Sequence, residues 1–213
     1  MSEELSQLIV LFKDKKYLLA EKKCFNLIKK IKPNYEIFNI YAVILFELKK
    51  YDDAIKYCEK AIELNSQYHF GYNNLGNIFL KKKQFKEALN SYEKALGIKP
   101  DYYEAYHNKG NVYSKTNDFS NAIKNFDSAL KIKGDYLPSL KGISDLYIKQ
   151  KNFSKAMPVL DKILIYEPNN INAYIQKADI LCEKNFLKEG IENYQSAYDL
   201  NPEHPFLLGD FIH

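Results

Sequence analysis

Residues 71–77 read GYNNLGN, and AYHNKGN follows at 105–111. Tyr72, Asn74, Gly76 and Asn77 return as Tyr106, Asn108, Gly110 and Asn111, all shifted by one and the same interval. The amides are the chemically interesting members of the set. An Asn side chain carries donor hydrogens and an acceptor oxygen, so it can pair with both polar groups of an extended peptide backbone. It does so without demanding a particular side chain from its guest. A row of such amides, one interval apart, would hold a chain in several registers. The competing account is that these asparagines are solvated, or that they bond a neighbouring segment. Tyr72, Gly76 and their counterparts read as packing residues.

Other reactive residue types lead to no site. His69, His107, His204 and His213 have no i, i+4 partner that could share a metal. Cys24, Cys58 and Cys182 are odd in number, far apart and without CxxC spacing, so neither a disulfide framework nor a zinc site is expected. Cys24 and Cys58 are themselves separated by that same interval, which suggests an equivalent packing position. No Gly-rich phosphate loop, nucleophile elbow or HExxH motif occurs. No catalytic residue, metal or cofactor is expected, and this chain is not read as an enzyme. The run KKK at 81–83 reads as a solvated turn that suits a helix C-terminal dipole.

Composition narrows the partner class. All 31 basic residues are Lys, and the net charge is only +4. Arg is the side chain suited to bidentate phosphate and guanine contacts, so its absence argues against nucleic-acid recognition. No apolar run approaches the length of a membrane span. The opening MSEELSQLIVLFKDKK is acidic and lacks a basic-then-apolar signal layout. The expected location is cytoplasmic. A hydrophobic content of 46% is ample for a packed core.

The elements that would position the amides follow from the same interval. Placing Gly76 and Gly110 at position 8 divides the chain into 1–34, 35–68, 69–102, 103–136, 137–170 and 171–204, with 205–213 left as the start of a seventh helix or a linker. Position 8 reads Leu8, Ala42, Gly76, Gly110, Ser144, Ala178; position 20 reads Ala20, Ala54, Ala88, Ala122, Ala156, Gly190. Position 27 reads Leu27, Ala61, Ala95, Ala129, Ile163, Ala197. Small residues hold fifteen of these eighteen places without a single insertion, which excludes coincidence. Within 69–102, Tyr72, Leu75 and Phe79 form one helical stripe; Leu89, Tyr92 and Leu96 form a second. Pro100 stops the second helix, and Asp101 is placed to start the next. Pro158 is expected to bend the helix it interrupts. Helices of about a dozen residues are marginal alone, so the pairs must stack.

With Tyr72, Leu75, Gly76, Phe79, Ala88, Ala95 and Pro100 in these places, the unit resembles the tetratricopeptide repeat (TPR). The resemblance covers nearly the whole chain and is strongest in 35–136. It implies an all-α fold: a right-handed α-solenoid of six helix–turn–helix repeats over 1–204, whose first helices line an inner groove. The groove positions of that family would here be filled by Asn73, Asn74, Asn77, His107, Asn108, Asn111 and Lys115. Lys141, Asp145, Gln176 and Asp179 would continue them. The implied function is a protein–protein interaction scaffold that binds an extended peptide or protein partner in the groove. Phe46, Phe70 and Leu80 would supply apolar contacts. Replacing Asn77 and Asn111 by Ala is then expected to weaken peptide binding and leave melting nearly unchanged.

Two further resemblances bear on the partner. The family's two-carboxylate clamp places amides where Asn77 and Asn108 stand. Its basic residues are missing, since Asn73, Pro138 and Gly142 occupy their places. The motif YNNLGN with the tail PFLLGDFIH also resembles the TPR region of O-linked N-acetylglucosamine transferase-type enzymes, which would make this chain a substrate-recruiting arm with catalysis outside it. The apolar tail alternatively suggests a homodimer formed end to end.

Overall fold

The computed structural model describes residues 3–30 and 34–204. The segment 205–213, and with it the seventh helix or linker, the dimer contact and the transferase-like tail, lies outside the described residues. Twelve helices and no strand occur among the described residues. They are α1 (Glu3–Lys13), α2 (Tyr17–Lys30), α3 (Tyr35–Glu47), α4 (Tyr51–Leu64), α5 (His69–Lys81) and α6 (Phe85–Ile98). The second half continues with α7 (Tyr103–Lys115), α8 (Phe119–Ile132), α9 (Leu137–Lys149), α10 (Phe153–Tyr166), α11 (Ile171–Glu183) and α12 (Leu187–Leu200).

The turn inside each pair is made by hydrogen bonds and not by glycine. Lys15, Lys49, Lys83, Asn117, Lys151 and Asn185 all have positive φ, between 53° and 65°, and they recur once in every helix pair. A left-handed residue with a Cβ costs roughly 1–2 kcal/mol. Two backbone bonds hold five of the six there. After α3, Lys49 N–H donates to the Phe46 carbonyl and Lys50 N–H to the Leu45 carbonyl, both at 2.9 Å. The same pair closes α1, α5, α9 and α11. This is the Schellman arrangement, which satisfies carbonyls the ending helix would leave unpaired.

Helix starts depend less on capping chemistry than the sequence suggests. Asp101 does not cap α7; the capping residue is Tyr102, with no side-chain bond to the helix. Tyr102 is 5% exposed and packs with Ala95 and Ala105, so burial of its ring sets the entry into the helix. Asn34, Asp118 and Asn170 do cap α3, α8 and α11, each accepting from a backbone N–H three residues on. Pro158 lies inside α10, which continues to Tyr166 with Leu160 and Ile163 buried below it.

All eighteen residues at positions 8, 20 and 27 are buried. The closest approach shows why they are small. A Cβ on Gly76 would stand 2.5 Å from Cε1 of Tyr92, whose ring is completely buried. A Cβ on Gly190 would meet the Cys182 sulfur at 2.5 Å. Cys24 and Cys58 are fully buried packing residues, and burial pushes both thiols up to about 12. The described chain divides between Thr116 and Asn117 into two compact units. In the first, one core cluster runs from Leu8 through Cys24, Tyr41 and Cys58 to Ile78, and a second joins Ala88, Tyr92 and Val112. In the second, Leu140, Leu160, Ile163 and Ile180 form the core.

Two glycines of one hairpin should respond oppositely to the same change. Gly76→Ala forces the Tyr92 ring aside and should cost about 1–3 kcal/mol. Gly97→Ala meets nothing within 4 Å on helix α6 and should gain roughly 0.5–1 kcal/mol. Urea denaturation of both variants checks this; equal effects would mean that Tyr92 does not depend on the glycine.

Candidate functional site

Each pair of first helices from α3 to α7 is joined by an amide–amide bond. Asn74 Nδ2 donates to Asn39 Oδ1 at 2.8 Å, and Asn108 Nδ2 donates to Asn73 Oδ1 at 2.9 Å. The two bonds are one register apart, linking α3 to α5 and α5 to α7. Asn73 is 6% exposed and belongs to the packing between repeats, not to an open surface. Asn39 was not among the expected residues, although it stands one repeat before Asn73.

Asn77 is held differently. Its side-chain oxygen accepts from the Tyr92 hydroxyl at 2.8 Å. The hydroxyl belongs to a side chain with no exposure, and desolvation pushes its pKa far above the ordinary tyrosine value. Asp179 accepts from the Tyr194 hydroxyl at the same two register positions, so the pairing itself repeats along the chain. Asn111 Nδ2 lies 3.0 Å from His107 Nε2. Burial lowers the His107 pKa to about 4, so its ring is neutral at neutral pH. With Nε2 accepting from Asn111, the ring proton sits on Nδ1.

Among the amide groups that these bonds leave without an intrachain partner are Asn77 Nδ2, Asn108 Oδ1 and Asn111 Oδ1. All three residues line one cleft of about 630 Å³ in the first unit. Phe46, Leu80 and Phe85 form its apolar surface. Lys81, Lys83 and Lys115 complete the lining. Phe85, Lys81 and Lys83 were not foreseen, the run at 81–83 having been expected to be a solvated turn; Lys83 enters because the left-handed turn residue lies beside the cleft. Asn74 lines an adjoining recess of about 140 Å³ that shares Phe46 and Asn77. Phe70, expected to face the same groove, is 44% exposed and instead stacks with His69, Tyr68 and Tyr102.

The four expected residues of the later repeats meet in the second unit. Lys141, Asp145, Gln176 and Asp179 line a cleft of about 380 Å³. Gln176 Nε2 donates to Asp145 Oδ1 at 2.9 Å, and Lys141 pairs with Glu167 at 2.8 Å. No group of three His, Cys, Asp or Glu among the described residues could hold a metal.

Two family models match parts of the chain. Residues 76–117 match the family model described as TPR repeat, and residues 42–68 and 103–136 match the model described as tetratricopeptide repeat. These are tetratricopeptide repeats. No curated protein matches the sequence at a significant level. PilW, a widely conserved type IV pilus biogenesis factor, has the same fold with a TM-score of 0.83 at 18% identity, covering 96% of this chain and 95% of its own. PilF of Pseudomonas aeruginosa gives 0.79 at 14% identity over 96% and 93%. YrrB, a TPR protein with an unusual peptide-binding site, gives 0.66 at 19% over 87% and 95%. At such identities the likeness establishes the all-α TPR fold alone.

The bond from Tyr92 corrects the expectation that Asn77 and Asn111 are dispensable for stability. Asn77→Ala leaves a buried hydroxyl without an acceptor and should cost about 1–3 kcal/mol. Asn77→Ala combined with Tyr92→Phe should recover most of that loss. A double-mutant cycle in thermal melts measures the coupling; additive losses would break the assignment. His107 predicts a pH dependence. Its folded pKa lies below the unfolded value, so its contribution is full above about 6.5 and is lost as pH falls towards 4. The difference is on the order of 3 kcal/mol. His107→Gln should flatten that part of the stability profile between pH 7 and 4.

Proposed function

We propose that this TPR chain is a docking scaffold for an extended segment of a partner protein, seated in the cleft of the first unit. TPR folds are in general protein-interaction scaffolds and typically not enzymes, and no helix among the described residues is long and apolar enough to cross a membrane. What supports the specific site is the set of free amide groups over an apolar floor. Asn77 offers a donor, while Asn108 and Asn111 offer acceptors, beside Phe46, Leu80 and Phe85. A peptide backbone presents both complements at every residue. YrrB, described by its peptide-binding site, shares the fold and is in line with this use.

Magnitudes assign the roles. Three hydrogen bonds contribute about 1.5–4.5 kcal/mol in total. Association costs about 4–15 kcal/mol, so the amides alone do not hold a ligand. Burying one Leu or Phe side chain contributes about 1.5–3 kcal/mol. The apolar floor therefore supplies affinity, and the amides fix the orientation of the backbone.

The test is a selection of 12-residue peptides displayed on phage against the whole chain, followed by fluorescence anisotropy on the enriched sequences. Leu80→Gln should weaken those peptides roughly tenfold while the melting temperature stays within a few degrees. Enriched peptides that bind Leu80→Gln as well as the parent would place docking elsewhere.

A further inference from the structure

The first-unit cleft carries an uncompensated charge. Lys81, Lys83 and Lys115 line it, and no carboxylate does. None of the three takes part in an ion pair among the described residues. Several lysines elsewhere among the described residues do pair with carboxylates. Lys82, between two of them in sequence, pairs with Asp52, and Lys50, Lys109, Lys151 and Lys177 pair with carboxylates of their own. With 27 acidic residues available, partners for the three were not scarce. Glu47 lines the adjoining recess and not this cleft.

The second unit supplies an internal comparison. Asp145 and Asp179 hold the register place that Asn77 and Asn111 hold in the first unit, and the nearby Lys141 is engaged by Glu167. The same repeat position is neutral beside free lysines in one unit and anionic in the other. The two clefts therefore present opposite electrostatics to a guest.

We infer that the segment taken by the first-unit cleft is acidic, with Asp or Glu side chains flanking an apolar anchor. This rests on the docking reading and specifies its ligand. Lys81 and Lys115 end their first helices, and Lys83 occupies the turn. Their ammonium groups sit on flexible stems at exposed positions. Lys binds as a point charge and not as a planar fork, so this rim accepts carboxylates of varied geometry along a segment. It does not require the free C-terminal carboxylate that a clamp would grip. Exposed charges of this kind act on encounter rate and selectivity, and salt screens them beyond a Debye length of about 8 Å at physiological strength.

The experiment uses three labelled 12-residue peptides built around one Leu–Phe anchor, with flanks of Glu, Gln or Lys. Each is made with a free and an amidated C-terminus, and affinity is read by anisotropy at low and high salt. The Glu peptide should bind about tenfold tighter than the Gln peptide at low salt, the Lys peptide weakest, and the C-terminal form should not matter. Raising the salt should erase most of the Glu preference. The variant Lys81→Gln/Lys83→Asn/Lys115→Gln should lose the preference; Asn suits the turn, since Asn117 and Asn185 occupy its equivalents. A control with the same change in net charge, Lys22→Gln/Lys124→Gln/Lys188→Gln, should keep it. Equal binding of the Glu and Gln peptides would overturn the acidic ligand and leave docking intact. A preference confined to free C-termini would overturn the segment in favour of a terminal clamp. Failure of all three peptides to bind would overturn both readings.

Discussion

The ring of Tyr92 occupies the space where a Cβ on Gly76 would be, and the rest of the first unit depends on that contact. It brings α5 and α6 together closely enough to bury an aromatic side chain completely. Asn77 follows Gly76 in the chain, so the same contact places its carbonyl oxygen within reach of the Tyr92 hydroxyl. Packing and site are thus one arrangement. The amide that faces the cleft is oriented by the residue that fills the core.

The asparagines divide their hydrogen bonds between the fold and the cleft. One side of Asn74 and of Asn108 ties a repeat to the one before it, and Asn73 is consumed in that role. What is left over includes a donor on Asn77 and acceptors on Asn74, Asn108 and Asn111. The structural reading of the repeated amides holds at the bonded atoms, and the proposed docking role concerns other atoms of the same side chains. Such fixed amides are preorganised, because their rotamers are already held before any ligand arrives.

Charge distinguishes two clefts that the repeat would otherwise make alike. The period demands small or apolar residues where helices touch, and at the cleft-facing position it accepts either an amide or a carboxylate, since Asn77 and Asp179 both accept from a tyrosine hydroxyl. There the first unit carries amides and unpaired lysines, while the second carries Asp145 and Asp179. A repeat protein can vary its recognition chemistry in this way without altering its core.

How far the molecule was legible in its sequence follows the same division. Positions 8, 20 and 27 revealed the twelve helices and their pairing, because close helix approach favours small residues and so leaves a trace at fifteen of the eighteen places. The cleft residues Phe46, Leu80, Asn77, Asn108, Asn111 and Lys115 were also readable by register. The direction of each amide was not, since an Asn bonded to its neighbour and an Asn open to a ligand are the same letter. Nor was the turn, where hydrogen bonds hold Lys and Asn in a conformation their types do not announce. The sequence determined which residues must touch; only the assembled helices decided which polar atoms were left over, because that depends on distances of about 3 Å between side chains from different repeats.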